Sequence, residues 1–164
     1  MSRYASETSV SVEKSKAEIE KCLIRYGADE FHSGWQEGKA MIAFRMSGLF
    51  IRFILPLPAK NEPRFTHKKD RSGYEVERGE LQIENAHQQE VRQRWRALLL
   101  TVKAKLEAVE CGISTLESEF LAFIVLPNSM TLGEWVVENA LPQIRSGKMP
   151  LMLSGPAEQK ELGD

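Results

Sequence analysis

The sequence predicts an α+β fold: a three-stranded antiparallel meander packed against helices, with additional C-terminal helices. Three observations predict it. Apolar and polar residues alternate from Phe31 to Gln36, from Lys39 to Met46 and from Leu49 to Leu57. Only Glu37-Gly38 and Ser47-Gly48 interrupt these runs, and two-residue turns ending in glycine join antiparallel strands in a fixed register. On both sides of the meander, apolar residues recur with helical spacing.

Taken in order, residues 1–10 are polar and expected to be a flexible N-terminus, residues 11–154 a single α+β domain and residues 155–164 a flexible tail. Ser11 can cap a helix running to about Tyr26, with Val12, Ile19, Leu23 and Tyr26 on one face and Gly27 as its stop. In the meander, the turns pair Trp35 with Ala40, Ser33 with Ile42, Phe31 with Phe44, Phe44 with Ile51 and Ile42 with Phe53. One face then collects Phe31, Trp35, Ile42, Phe44, Met46, Leu49, Ile51, Phe53 and Leu55, the expected core. The other collects His32, Gln36, Met41, Arg45, Phe50, Arg52 and Ile54.

Residues 58–80, with Pro58, Pro63, clustered charges and Ser72-Gly73, read as one long loop. A long helix is expected over about 81–110, because Val91, Trp95, Leu98, Val102, Leu106 and Val109 form a stripe that Leu99 widens. Ser114-Thr115-Leu116-Glu117 reads as a capping box for a further helix. The apolar run over 120–126 fits either a helix or a buried strand. Thr131 can cap a last helix bearing Leu132, Trp135, Val136 and Leu141.

The 164 residues are 42% hydrophobic and 27% charged, enough for one domain with a sizeable core. A net charge of −1 excludes a uniformly basic nucleic-acid binder. The charge is segregated, however. Arg92, Arg94, Arg96, Lys103 and Lys105 have no acid among them, while Glu107 to Glu138 contains six glutamates and no basic residue. Cys22 and Cys111 belong to no CxxC motif and are expected to be buried, reduced thiols. No signal pattern or membrane-spanning apolar run is visible, so no membrane association and a cytoplasmic location are expected.

No catalytic motif stands out, and no cofactor is expected. His32, His67 and His87 lie in none of the spacings that hold zinc, and there is no phosphate-binding glycine loop. Helix, meander and helix follow the order of a restriction-endonuclease-like core. That chemistry needs strand-borne acids to hold Mg²⁺. Glu37-Gly38-Lys39 has suitable letters but falls on a turn, and Ile51, Arg52 and Phe53 stand where acids are needed. An enzyme therefore ranks below a binding protein. The basic-aromatic cluster Arg45, Phe50 and Arg52, with Lys68, Lys69 and Arg71 in the loop, is the candidate binding site. Aromatic rings stack on unpaired bases while cations hold phosphates.

Tyr26-Gly27-Ala28, the run from Phe50 to Pro58, Arg92-Gln93-Arg94-Trp95-Arg96-Ala97 and Leu132-Gly133-Glu134-Trp135 resemble stretches in small proteins of bacteriophages and prophages. The resemblance spans most of residues 10–145. It implies a mobile genetic element and the cytoplasm of a bacterial host, and no mechanism. The function expected is a non-catalytic accessory protein engaging single-stranded nucleic acid or a nucleic-acid-handling complex. The alternative is a protein-binding inhibitor of a host defence factor.

Overall fold

A computed structural model describes residues 8–150. The N-terminal residues 1–7, the stretch 151–154 assigned to the domain and the expected tail over 155–164 lie outside the described residues. Helix α1 spans Val12–Arg25, β1 Ala28–Gln36, β2 Lys39–Met46 and β3 Leu49–Pro56. A short helix α2, Pro63–Thr66, leads into the strands β4, His67–Lys69, and β5, Glu75–Glu77. Helix α3 spans Glu80–Glu110. Then come α4, Leu116–Phe120, a 3₁₀ turn over Leu121–Phe123, α5, Leu132–Trp135, a π-helical turn over Val136–Ala140, and α6, Leu141–Arg145.

The meander has strand order β1-β2-β3 and the expected register, with Phe31 opposite Phe44, Ile42 opposite Phe53 and Phe44 opposite Ile51. Its β2–β3 turn places Ser47 and Gly48 both at positive φ, 49° and 78°. Such a turn matches the twist of the flanking strands, and glycine takes one of the two positions without steric cost. The inward face packs under α1 and α3. Ile42, Phe44, Ile51 and Phe53 meet Ile19 and Leu23 of α1 and Trp95, Leu99, Val102 and Leu106 of α3 in one core. Phe120 closes it, its ring edge-on to Phe44 at 5.8 Å and to Phe53 at 6.2 Å.

Trp35 corrects the expectation. It has the inward phase but is 82% exposed. Helix α1 has 14 residues and β1 has nine, and both run from the Gly27 turn. The helix therefore covers about 21 Å while the strand reaches about 30 Å. The end of β1 outruns its cover, and Trp35 sits in the overhang.

The segment 58–80 is also not a plain loop. Beyond α2, β4 pairs with β5 in a hairpin, His67 opposite Glu77 and Lys69 opposite Glu75. The run 120–126 is neither one helix nor one strand. α4 gives way to the 3₁₀ turn, and Ile124 then bridges Ile51 on the outer edge of β3. Thr115, not Ser114, caps α4, accepting the Ser118 N–H at 3.2 Å. Thr131 caps α5 with Glu134 in a reciprocal capping box, as the sequence suggests. Pro142 lacks an N–H and its ring crowds the preceding carbonyls, which accounts for the widened turn before it. Of the cysteines, Cys22 is buried and Cys111 is exposed at the end of α3, against expectation.

Candidate nucleic-acid interface

The register sorts the outer face of the meander into four rows: Glu30-Arg45-Phe50, His32-Ala43-Arg52, Gly34-Met41-Ile54 and Gln36-Lys39-Pro56. The candidates Arg45, Phe50 and Arg52 do share this face. The Arg45 guanidinium stands 5.7 Å from the centre of the Phe50 ring, and the His32 ring meets Phe50 edge-on at 6.4 Å. Both arginines have carboxylate partners. Arg45 Nε is 3.1 Å from Glu30 Oε1, and Arg52 Nη2 is 3.1 Å from Glu134 Oε2.

Glu134 reaches β3 because the bridge at Ile124 and the capping box at Thr131 fold the chain back over the strand edge. Its carboxyl is held below the usual range, first by the Thr131 backbone N–H, then by the Thr131 side chain and the Arg52 guanidinium. A phosphate arriving at Arg52 would have to displace this carboxylate.

The remaining candidates lie elsewhere. Pro56 pairs with Lys39 at the opposite end of the sheet, six residues or about 20 Å from the Arg45 row. Arg94 of α3 meets Pro56 at that end, whereas Lys68 of the β4–β5 hairpin meets Gln82, about 18 Å earlier on the same helix, so the hairpin cations stand apart from the Arg45 row. The hairpin is fastened at its base. The Arg78 N–H donates to Thr66 O at 2.7 Å, and Phe65 is buried and edge-on to His87 at 5.6 Å. His87 Nε2 donates to Pro58 O at 2.9 Å, and Arg94 donates to Pro56 O.

At the tip, Asp70 Oδ1 accepts the N–H groups of Ser72 at 2.8 Å and Tyr74 at 2.9 Å. This side chain–backbone bracing fixes the turn. Lys68 donates to Gln82 Oε1 at 3.4 Å. Lys69 and Arg71 are exposed and have no side-chain partner among the described residues. Tyr74 is 74% exposed between them and Glu75. Sequence reasoning passed over Tyr74; an aromatic residue beside a basic run and a turn glycine was the available signal. Glu75 and Glu77 on the second strand partly offset the positive charge.

Elsewhere the surface offers little chemistry. A groove of about 610 Å³ between α1 and α3 is lined by charges of both signs, among them Glu18, Lys21, Arg25 and Lys103. Glu18 is already shared by Arg96 and Lys103, at 3.2 and 3.6 Å. Burial pushes the Cys22 thiol up, and desolvation with Glu107 does the same to Cys111, so neither is an activated nucleophile. Among the described residues, no three His, Cys, Asp or Glu side chains converge as a metal-holding group, and no helix is long and apolar enough to cross a membrane. Glu37 and Lys39 are exposed at the β1–β2 turn. Compared with known proteins, the chain matches no family model, no curated protein and no solved structure.

Proposed function

We propose that this chain is a non-catalytic accessory protein of a bacteriophage or related mobile element, acting in the host cytoplasm, and that it engages single-stranded nucleic acid through the β4–β5 hairpin. The observation that supports this is the hairpin tip: an exposed Tyr74 on an Asp70-braced turn that also carries Lys69 and Arg71, exposed cations with no ion-pair partner among the described residues. A rigid aromatic ring stacks on bases of any sequence, and neighbouring cations hold the backbone. The arginines of the meander have a lesser part, because Glu30 and Glu134 already neutralise them. With Glu75 and Glu77 nearby, binding belongs to low salt and falls steeply as salt rises.

Fluorescence anisotropy with labelled single-stranded DNA and RNA at two salt concentrations tests the proposal. Binding that weakens with salt and with Tyr74→Ala supports it. Absence of binding to either oligonucleotide at low salt ends it. The second reading, an inhibitor of a host protein, draws on exposed Ile113, Leu121 and Val137 within the acidic C-terminal part. Stoichiometric capture of one host protein that survives nuclease treatment would favour it.

A further inference from the structure

The outer edge of β1 has no partner among the described residues: β2 pairs with one side of it, and no other strand or bridge reaches the other. The ladder shows which groups are left open. The Leu57 N–H donates to Gly38 O at 2.8 Å, so Gly38 and Ala40 bond toward β3. Lys39, Met41 and Ala43 then bond toward β1, through Gln36, Gly34 and His32. The N–H and C=O groups of Phe31, Ser33 and Trp35 point away from the sheet. Folded proteins usually blunt such an edge with lysine, proline or a bulge. This strand has no lysine or proline, and its irregularity lies at Ala28/Glu30, outside the open stretch.

We propose that β1 pairs antiparallel with β1 of a second copy about a twofold axis at Ser33, joining two meanders into one six-stranded sheet. This register is self-complementary on both faces. Ser33 meets Ser33 of the other copy, and Phe31 meets Trp35, so all the open backbone groups of these residues are satisfied. On the inward face, the overhanging Trp35 lies against the half-buried Phe31 of the other copy, an aromatic cross-strand pair.

On the outer face, His32 stands opposite Gly34. There a notch of about 240 Å³ lies among Gly34, Met41 and Ile54, and a Cβ added at Gly34 would meet nothing nearer than Met41 Cε at 3.8 Å. An aromatic ring facing a strand glycine fills the space that the glycine leaves. Shifting the pairing by two residues, to centre on His32, would put Glu30 over the notch and Asp29 against Trp35.

Area sets the strength. Trp35 is 82% exposed, and its ring offers roughly 200 Å² per copy. A standard interface takes about 800 Å² from each partner. The ring supplies about a quarter, and the strand edge and His32 add to it. This is the weak end of specific association, with a Kd on the order of 1–100 μM. The inference does not depend on the nucleic-acid reading.

Sedimentation velocity of the whole chain across that concentration range is the test. A shift from the 18.6 kDa monomer to twice that mass is expected. Ser33→Pro, which removes one outward N–H and is tolerated at a sheet edge, should weaken the dimer at least tenfold with an unchanged circular dichroism spectrum. In a Cys111→Ser background, Ser33→Cys should form a disulfide-linked dimer on mild oxidation, since paired Cα atoms about 5.5 Å apart suit the bond. His32→Cys should crosslink far less. A monomer at every concentration overturns the proposal. So does a dimer that Ser33→Pro leaves intact and Ser33→Cys does not link.

Discussion

The outer face of the meander and the β4–β5 hairpin carry the same kinds of residue, yet they differ in how far their charges are committed. On the meander, Arg45 faces Glu30 across one strand pair, and Arg52 faces Glu134, brought from 82 residues away. On the hairpin, Lys69 and Arg71 have no such partner among the described residues, and Tyr74 stands in solvent. The lesson is that a basic-aromatic pattern keeps its cations available only where the fold brings no carboxylate within ion-pair distance; Glu75 lies opposite Lys69 in the register without closing such a pair. Cations on a broad sheet are within reach of carboxylates from neighbouring strands and helices. On the two-stranded hairpin, Lys69 has only Glu75 opposite it, and Arg71 lies in the turn beyond the paired residues.

The largest expected effect concerns the register on which the comparison rests. Phe44 and Phe53 lie on the inward face, 0% and 4% exposed and packed on Phe120. Phe44→Ala or Phe53→Ala should lower stability by about 3–5 kcal/mol. Urea unfolding measures this, and unchanged midpoints in both variants would mean that the outer face has been assigned to the wrong phase.

A smaller effect separates the two regions directly. Tyr74→Ala should cost about 1–3 kcal/mol in single-strand binding, while Phe50→Ala, half-buried beside a paired arginine, should cost much less. Because Tyr74 is exposed, its substitution should leave the melting temperature in place. Equal losses from the two variants would erase the distinction drawn here.

Below that comes the clasp that occupies Arg52. Thr131→Ala removes the α5 cap and should cost about 1 kcal/mol. Acid should loosen the same clasp. The folded Glu134 carboxyl lies below its ordinary value of 4.5, so its contribution is fully present above that value and is lost as pH falls through the lower folded one. Because this carboxylate is nearly half exposed, the loss should be small and local. Hydrogen exchange at the Thr131 amide, which donates to Glu134 Oε2 at 2.6 Å, should quicken relative to amides of α3 as pH falls through that lowered value, after correction for intrinsic rates.

These expectations also show which parts of the molecule were legible in its sequence. The sheet register was, because Glu37-Gly38 and Ser47-Gly48 leave little freedom in pairing. The Glu30–Arg45 pair follows from that same register and could have been read from it. Burial of Trp35 could not be read from phase alone, since phase says which face a residue takes and not where the covering helix starts. The Arg52–Glu134 pair depends on how residues 121–131 fold back over the edge of β3, a long-range fact with no local signal. The β4–β5 hairpin was hidden for a different reason. Its strands have three residues each and only Val76 as a purely apolar side chain, too little for a period to register.

The smallest expected effect is the most specific to the comparison. Each phosphate contact to a single strand releases counterions and contributes about 0.7 to the slope of log K against log salt. Lys69→Gln and Arg71→Gln should each lower that slope by about this amount, because these cations form no ion pair among the described residues. Arg45→Gln should change it by much less. Removing a cation already neutralised by Glu30 takes away little counterion release and exposes a carboxylate that repels the strand. Its effect should therefore appear in affinity and not in slope. Slopes from anisotropy titrations at four salt concentrations would resolve the difference. If Arg45→Gln flattened the slope as much as Lys69→Gln does, its ion pair would have to open in the complex, and the meander face would join the hairpin as part of one continuous interface.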